Sequence, residues 1–190
     1  MKKQERSLSN EEALQLHQEA LVIDSKQPPA TSGFLFTERM KLDLLDMDRA
    51  GYTRAQASSQ LAKIATEEIR NSEAAREQYL SLWHRSGVNV ASGTYSAGIE
   101  IERAYASATE GIAQARSYID ALEGELKLIL KADDIEDVYK SGKHGLILDF
   151  QDTLPFGTDL SKIEYFYNLG LRVVQPVSYT HLTLPTSDLV

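Results

Sequence analysis

Short apolar runs alternate along this chain with longer stretches of helical periodicity. Ser9-Asn10-Glu11-Glu12 places a hydroxyl at an N-cap and a carboxylate three residues on, which predicts a short helix to about residue 19. The apolar run Ala20-Leu21-Val22-Ile23-Asp24 predicts a buried strand, ended by Pro28 and Pro29. Residues 33–36 read as loop. Helical spacing then covers 37–50, 54–70 and 73–85, and in the last of these Ala75, Tyr79, Leu82 and Trp83 share one side, the mark of a core-packing face. Gly87 closes that helix, and residues 88–95 read as a second strand. A helix over 99–122 and a strand over 126–130 follow. Asp133-Asp134-Ile135-Glu136 is another capping-box pattern, and Gly142 ends its helix. His144 to Phe150 is an apolar strand. Thr158 or Asp159 caps a helix to residue 169, Gly170 stops it, and residues 171–175 begin a fifth strand.

Strands separated by helical crossovers pair in parallel. An open doubly wound sheet and a (β/α)8 barrel both fit that order. No glycine-rich phosphate loop follows the first strand, which counts against a nucleotide-binding sheet. A whole barrel typically needs about 250 residues. The reading is therefore α/β: a truncated (β/α)8 TIM-type barrel of about five parallel strands with helical crossovers. A barrel cut open lacks an opposing wall for its strands. Val22, Ile23, Val90, Ile129, Leu146, Leu148 and Val173 are the residues expected to be poorly covered.

The last fourteen residues, 177–190, break the pattern. They read V-S-Y-T-H-L-T-L-P-T-S-D-L-V. The first ten back-translate to GTC TCT TAT ACA CAT CTG ACG CTG CCG ACG, which resembles a transposase-type sequencing adapter in one frame. Pro176 can be coded CCT, so the junction also fits. Residues 1–176 are taken as the N-terminal portion of a barrel, and 177–190 as adapter translation to be set aside from fold reasoning.

Composition narrows the function classes. The chain has 20 Lys and Arg against 28 Asp and Glu, a net charge of −8, and its basic residues form no run suited to a phosphate backbone. Nucleic acid is an unexpected partner. Without cysteine there is no disulfide framework and no thiolate metal site. No apolar h-region follows Lys2 and Lys3, and no apolar run is long enough to span a bilayer. A cytoplasmic protein with no membrane span is expected.

Four stretches in register give a family resemblance over roughly residues 15–176. They are the first apolar run at 20–24; Leu82-Trp83 through Ser86-Gly87-Val88; Ala132-Asp133-Asp134-Ile135 through Gly142-Lys143-His144 and its apolar strand; and Asp159-Leu160 through Phe166-Tyr167-Asn168-Leu169-Gly170-Leu171-Arg172. Together they resemble the membrane (renal) dipeptidase family of zinc metallopeptidases, in a divergent branch. The resemblance implies a (β/α)8 barrel, zinc as cofactor, hydrolysis of dipeptides by a metal-activated hydroxide, and small peptide or amino-acid-derived substrates. It is compatible with a homodimer of the full-length protein.

The family's metal ligands do not carry over. Its first strand ends in D-G-H-x-D, where this chain has Asp24-Ser25-Lys26-Gln27-Pro28. Lys26 stands at the histidine position and Pro28 at the second aspartate. A lysine ammonium has no lone pair to donate, and proline offers no side-chain ligand. The family's bridging glutamate falls on Gln151, whose neutral amide lacks the charge to hold two cations. Zinc binding is therefore not expected at these positions. Asp24, Asp149 and Asp152 lie near C-terminal strand ends, where barrel active sites form, and are the remaining catalytic candidates, though a loop cap is the plainer reading of each. Lys26 at such an end has the chemistry for a Schiff base, though a solvated lysine is the plainer reading. His17, His84 and His144 share no i, i+4 metal-binding spacing, and His181 falls in the tail. The rival readings are a non-catalytic homologue that binds or scaffolds, and a barrel hydrolase or lyase that replaced the zinc chemistry.

Overall fold

The computed structural model describes residues 8–25, 35–95, 101–122 and 124–176. The 177–190 tail lies outside them. Helix α1 (Asn10–Glu19) begins at the predicted capping box: the Ser9 hydroxyl accepts from the Glu12 N–H at 3.2 Å, and the Glu12 carboxylate accepts from the Ser9 N–H at 2.9 Å. Strand β1 (Ile23–Asp24) follows, then α2 (Glu38–Arg49), α3 (Arg54–Asn71) and α4 (Glu73–Ser86). Gly87 ends α4 at φ 67°, in the left-handed region that favours glycine. Strand β2 (Val90–Thr94), α5 (Ile101–Ala121), β3 (Leu126–Leu128), α6 (Ala132–Ser141), β4 (His144–Phe150), α7 (Ser161–Asn168) and β5 (Leu171–Val174) complete the order.

All five strands are parallel and joined by helical crossovers. β4 is the central strand. β2 runs along one of its edges, from Val90 opposite Gly145 to Thr94 opposite Asp149. Two short strands share the other edge: β3 lies against its first half, Leu126 opposite His144, and β5 against its second, Leu148 opposite Leu171. β1, β2, β4 and β5 thus lie side by side in chain order, as consecutive strands of a barrel do, and β3 is an added strand beside the start of β4. Arg172 sits at the register shift where β5 meets β4, and its guanidinium donates to the carbonyl of Leu130 at 2.8 Å and of Tyr167 at 2.9 Å. It closes the junction between β3 and β5.

Strand alternation divides the sheet into two faces. Ala91, Leu146, Leu148, Phe150 and Leu171 lie on one, packed against Tyr79 and Trp83 of α4, Ile112 and Ala115 of α5 and Phe166 of α7. Phe166 meets Phe150 edge-on at 4.9 Å between ring centroids. Val90, Ile129 and Ile147 lie on the other face, where, among the described residues, Val138 and Ile135 of α6 pack against them.

Three expectations need correction. The first strand is not buried: β1 has two residues and one partner, and Ile23 is 45% exposed. Of the seven residues expected to lack cover, Val90, Ile129, Leu146 and Leu148 are buried, because helices close over the first face and α6 over the start of the second. Ile23 and Val173 are the exposed ones. The box at the start of α6 is not built on Asp133. The helix begins two residues earlier, with Lys131 at the N-cap and Asp134 as the third helical residue, whose carboxylate accepts from the N–H groups of Leu130 at 2.9 Å and Lys131 at 3.0 Å.

Candidate functional site

The polar groups brought together at the C-terminal ends of the strands come from β2 and β4. In-register pairing places Ser92 beside Ile147 and Thr94 beside Asp149, all on the face that α6 covers only in part. The Asp149 side chain is fully buried. One of its oxygens accepts from the Ser92 hydroxyl at 2.5 Å and the other from the Thr94 hydroxyl at 2.9 Å. The Tyr95 N–H donates to the Asp149 carbonyl at 2.9 Å. Asp149 thus sits in a built polar cluster, and its side chain ties β2 to β4.

The other candidates hold different positions in the fold. Asp24 pairs in register with Ala91, one position out of phase with the Ser92, Thr94 and Asp149 face. Asp152 accepts from the N–H of Leu154 at 2.9 Å and so shapes the turn after β4. Gln151 is half-buried just past the end of β4. Lys26 and Pro28 lie outside the described residues. His144 begins β4, at the opposite end of the sheet from Asp149, where it stacks on Trp83 at 4.9 Å and lies 3.3 Å from His84. His17 contacts the Ser86 carbonyl at 2.8 Å.

Among the described residues the donor set does not fit a metal centre. Among the described residues no three His, Cys, Asp or Glu side chains converge in a group able to hold an ion. Both Asp149 oxygens already accept from hydroxyls, and Gln151 brings a neutral amide.

A second feature lies between α3, α5 and the end of β2. There a cavity of about 690 Å³ is lined by Ser58, Ala62 and Thr66 from α3, Gly111 and Gln114 from α5, and Thr94, which also donates to Asp149. Tyr79, Tyr95 and Tyr118 form its floor. The Tyr95 and Tyr118 hydroxyls are 2.5 Å apart, and the Tyr79 and Tyr118 rings stand 6.1 Å apart. Burial pushes all three hydroxyls well above the usual tyrosine range, so they remain protonated donors at neutral pH. The Tyr79 hydroxyl and the Trp83 indole N–H, one turn apart, are buried with no hydrogen-bond partner among the described residues.

Sequence reading placed Tyr79 and Trp83 in the core and passed over Ser92, Thr94, Tyr95 and Tyr118. The period-two pattern of β2 puts Ser92 and Thr94 on one face, a signal present in the sequence; its meaning depends on the register with β4.

No family model and no curated protein matches this chain. Solved structures do. One is an amidohydrolase from Pseudomonas aeruginosa, 17% identical at TM-score 0.51, matched over 88% of this chain and 37% of its own. Another is a dipeptidase described as a metallopeptidase, 20% identical at TM-score 0.50, matched over 60% of this chain and 40% of its own. The chain spans less than half the length of these structures, and at such identity the likeness shows a shared fold.

Proposed function

We propose that residues 1–176 are the N-terminal portion of a dipeptidase-like hydrolase of a divergent branch, acting in its whole form on small peptides or amino-acid derivatives, with 177–190 foreign to it. The observation that supports this reading is agreement between two independent lines. Four sequence stretches resemble the dipeptidase family in order, and the fold is shared with a solved dipeptidase and a solved amidohydrolase. Among the described residues, no helix is long and apolar enough to cross a membrane.

A non-catalytic homologue is the second reading. Lys26, Pro28 and Gln151 favour it, as does the engagement of both Asp149 oxygens by neighbouring hydroxyls. The complete protein, obtained from an unbroken gene, separates the two. Under the hydrolase reading it cleaves a panel of dipeptides; absence of turnover across the panel, with the protein folded, rejects hydrolysis. Zinc measured by elemental analysis after dialysis should be substoichiometric. The combined Lys26→His, Pro28→Asp and Gln151→Glu variant should raise it, and stoichiometric zinc on the unaltered protein would overturn the assignment of these positions. Independent genomic DNA across the Pro176 codon checks the tail: recovery of S-Y-T-H-L-T-L-P-T from an unrelated clone of the locus would show it to be native.

A further inference from the structure

The cavity over the three tyrosines has the size and chemistry of a ligand site, and it lies between helices rather than in the polar cluster at Asp149. Small-molecule sites usually enclose about 300–1,000 Å³, with mainly apolar walls and a few converging polar groups. The volume here is about 690 Å³. Leu35, Ala62, Ala65 and Ile69 supply apolar wall, and the tyrosine rings the floor.

The floor carries hydroxyl donors in excess: the Tyr79 hydroxyl, partnerless among the described residues, and one of the Tyr95–Tyr118 pair. Tyr95 and Tyr118 hold two hydroxyl protons between them, and their mutual hydrogen bond uses one. The other has no acceptor among the described residues. A buried donor left unmade costs about 1–3 kcal/mol, so an acceptor supplied by a ligand gains more there than it would at the surface. Among the described residues the floor has no fixed cation, and the negative charge of Asp149 lies close enough to act on Tyr95. A carboxylate seated there would lose hydration without a counter-charge, whereas a neutral carbonyl would not. Arg54 and Glu110, both exposed at the rim, have opposite signs and favour neither anion nor cation.

We infer that the cavity between α3, α5 and the end of β2 binds a neutral, largely apolar small molecule that presents a carbonyl or amide oxygen to the Tyr95–Tyr118 hydroxyl pair. The inference does not depend on the hydrolase reading.

Benzamide and toluene are the probes, titrated into the 190-residue chain by ligand-observed NMR. Both fit the apolar walls, and only benzamide carries the acceptor. Benzamide should bind saturably and more tightly than toluene. The double variant Tyr95→Phe, Tyr118→Phe, which removes both hydroxyls of the pair, should weaken benzamide by about tenfold, the worth of one buried hydrogen bond, and leave toluene unchanged. Ala62→Phe, which fills the cavity from α3, should abolish both. A purely structural role for the two hydroxyls would move both ligands together. The inference is overturned by absence of saturable benzamide binding, by equal losses of the two ligands in the Tyr95→Phe, Tyr118→Phe double variant, or by unchanged binding in Ala62→Phe.

Discussion

Leu146, Leu148 and Phe150 of β4 face α4, α5 and α7, while Gly145, Ile147 and Asp149, alternating with them, face the other way. The first set is fully buried along the whole strand. The second is covered by α6 at its start, but toward its end the neighbouring Val173 is 38% exposed, and Ile23 on β1 is exposed as well. Yet Asp149 at that end is buried, held by Ser92 and Thr94. The same strands thus carry one face stabilised by apolar packing and one whose far end is organised by hydrogen bonds. Stability of the first should respond to lost volume, and of the second to lost polar partners.

Leu148→Ala tests the packed face and should show the largest effect. Removing a buried leucine side chain from a close-packed core typically costs about 2–5 kcal/mol. Val173→Ala on the other face should cost less than about 1 kcal/mol, since the residue retains much of its exposure. Urea unfolding of the chain followed by far-UV circular dichroism measures both. Equal losses would erase the distinction between the faces.

Asp149 tests the polar end. Asp149→Ala leaves the buried Ser92 hydroxyl and the Thr94 hydroxyl without their acceptor, at about 1–3 kcal/mol for an unsatisfied buried group. Asp149→Asn keeps one accepting oxygen and should cost less. If Asp149 instead serves chemistry, Asp149→Asn in the complete protein would suppress turnover with stability intact. A loss of stability from Asp149→Ala no larger than that from Val173→Ala would remove the tether argument.

The covered face was the more legible of the two. Tyr79 and Trp83 recur at helical spacing, β4 is a mainly apolar run, and Gly87 and Gly142 both end helices at φ 67°. These features are local, so the sequence carries them directly. The exposure of Ile23 was not local: it depends on which strands flank β1, and an apolar run looks the same at an edge as in the centre. The Ser92–Thr94–Asp149 cluster joins residues 57 and 55 apart, and the Tyr95–Tyr118 pair joins residues 23 apart. No spacing rule reaches those distances; they follow from strand register and from the docking of α5.

Asp134 probes the cover that α6 gives to the second face. Its carboxylate accepts two backbone N–H groups at the helix start and lies 3.0 Å from Lys127. The Leu130 N–H, then the Lys127 ammonium, hold its pKa below the usual carboxylate value. Asp134→Ala should therefore cost about 0.5–2 kcal/mol, the usual worth of a helix cap. Asp133→Ala, at an exposed position, should be near neutral. Because the folded pKa is depressed, this contribution is present above the ordinary carboxylate value of 3.8 and lost as pH falls through the folded one. Comparable losses from the two substitutions would return the cap to Asp133.

The smallest effect comes from the covered face and appears only with pH. The Val88 carbonyl can only accept, so His144 Nδ1, 3.1 Å away, carries the proton; Nε2 then accepts from His84 Nδ1 at 3.3 Å. Burial lowers the His144 pKa below its ordinary 6.5, the Val88 carbonyl opposes that shift, and His84 adds to it while Glu125 acts against it. Protonating Nε2 would set an N–H against the N–H of His84, beside the Trp83 ring. The unfolded chain therefore takes up the proton first as pH falls. Stability from this group is complete above about pH 6.5 and declines as pH drops from there toward the lowered folded value. Below the folded value it stays flat. His144→Phe keeps an aromatic ring against Trp83 and removes the titration. Its stability, compared with the parent from pH 7.5 to 5, should fall less steeply in the acid half of that range. Parallel curves would mean that His144 titrates alike in both states and that the packed face has no pH-sensitive contact at this position.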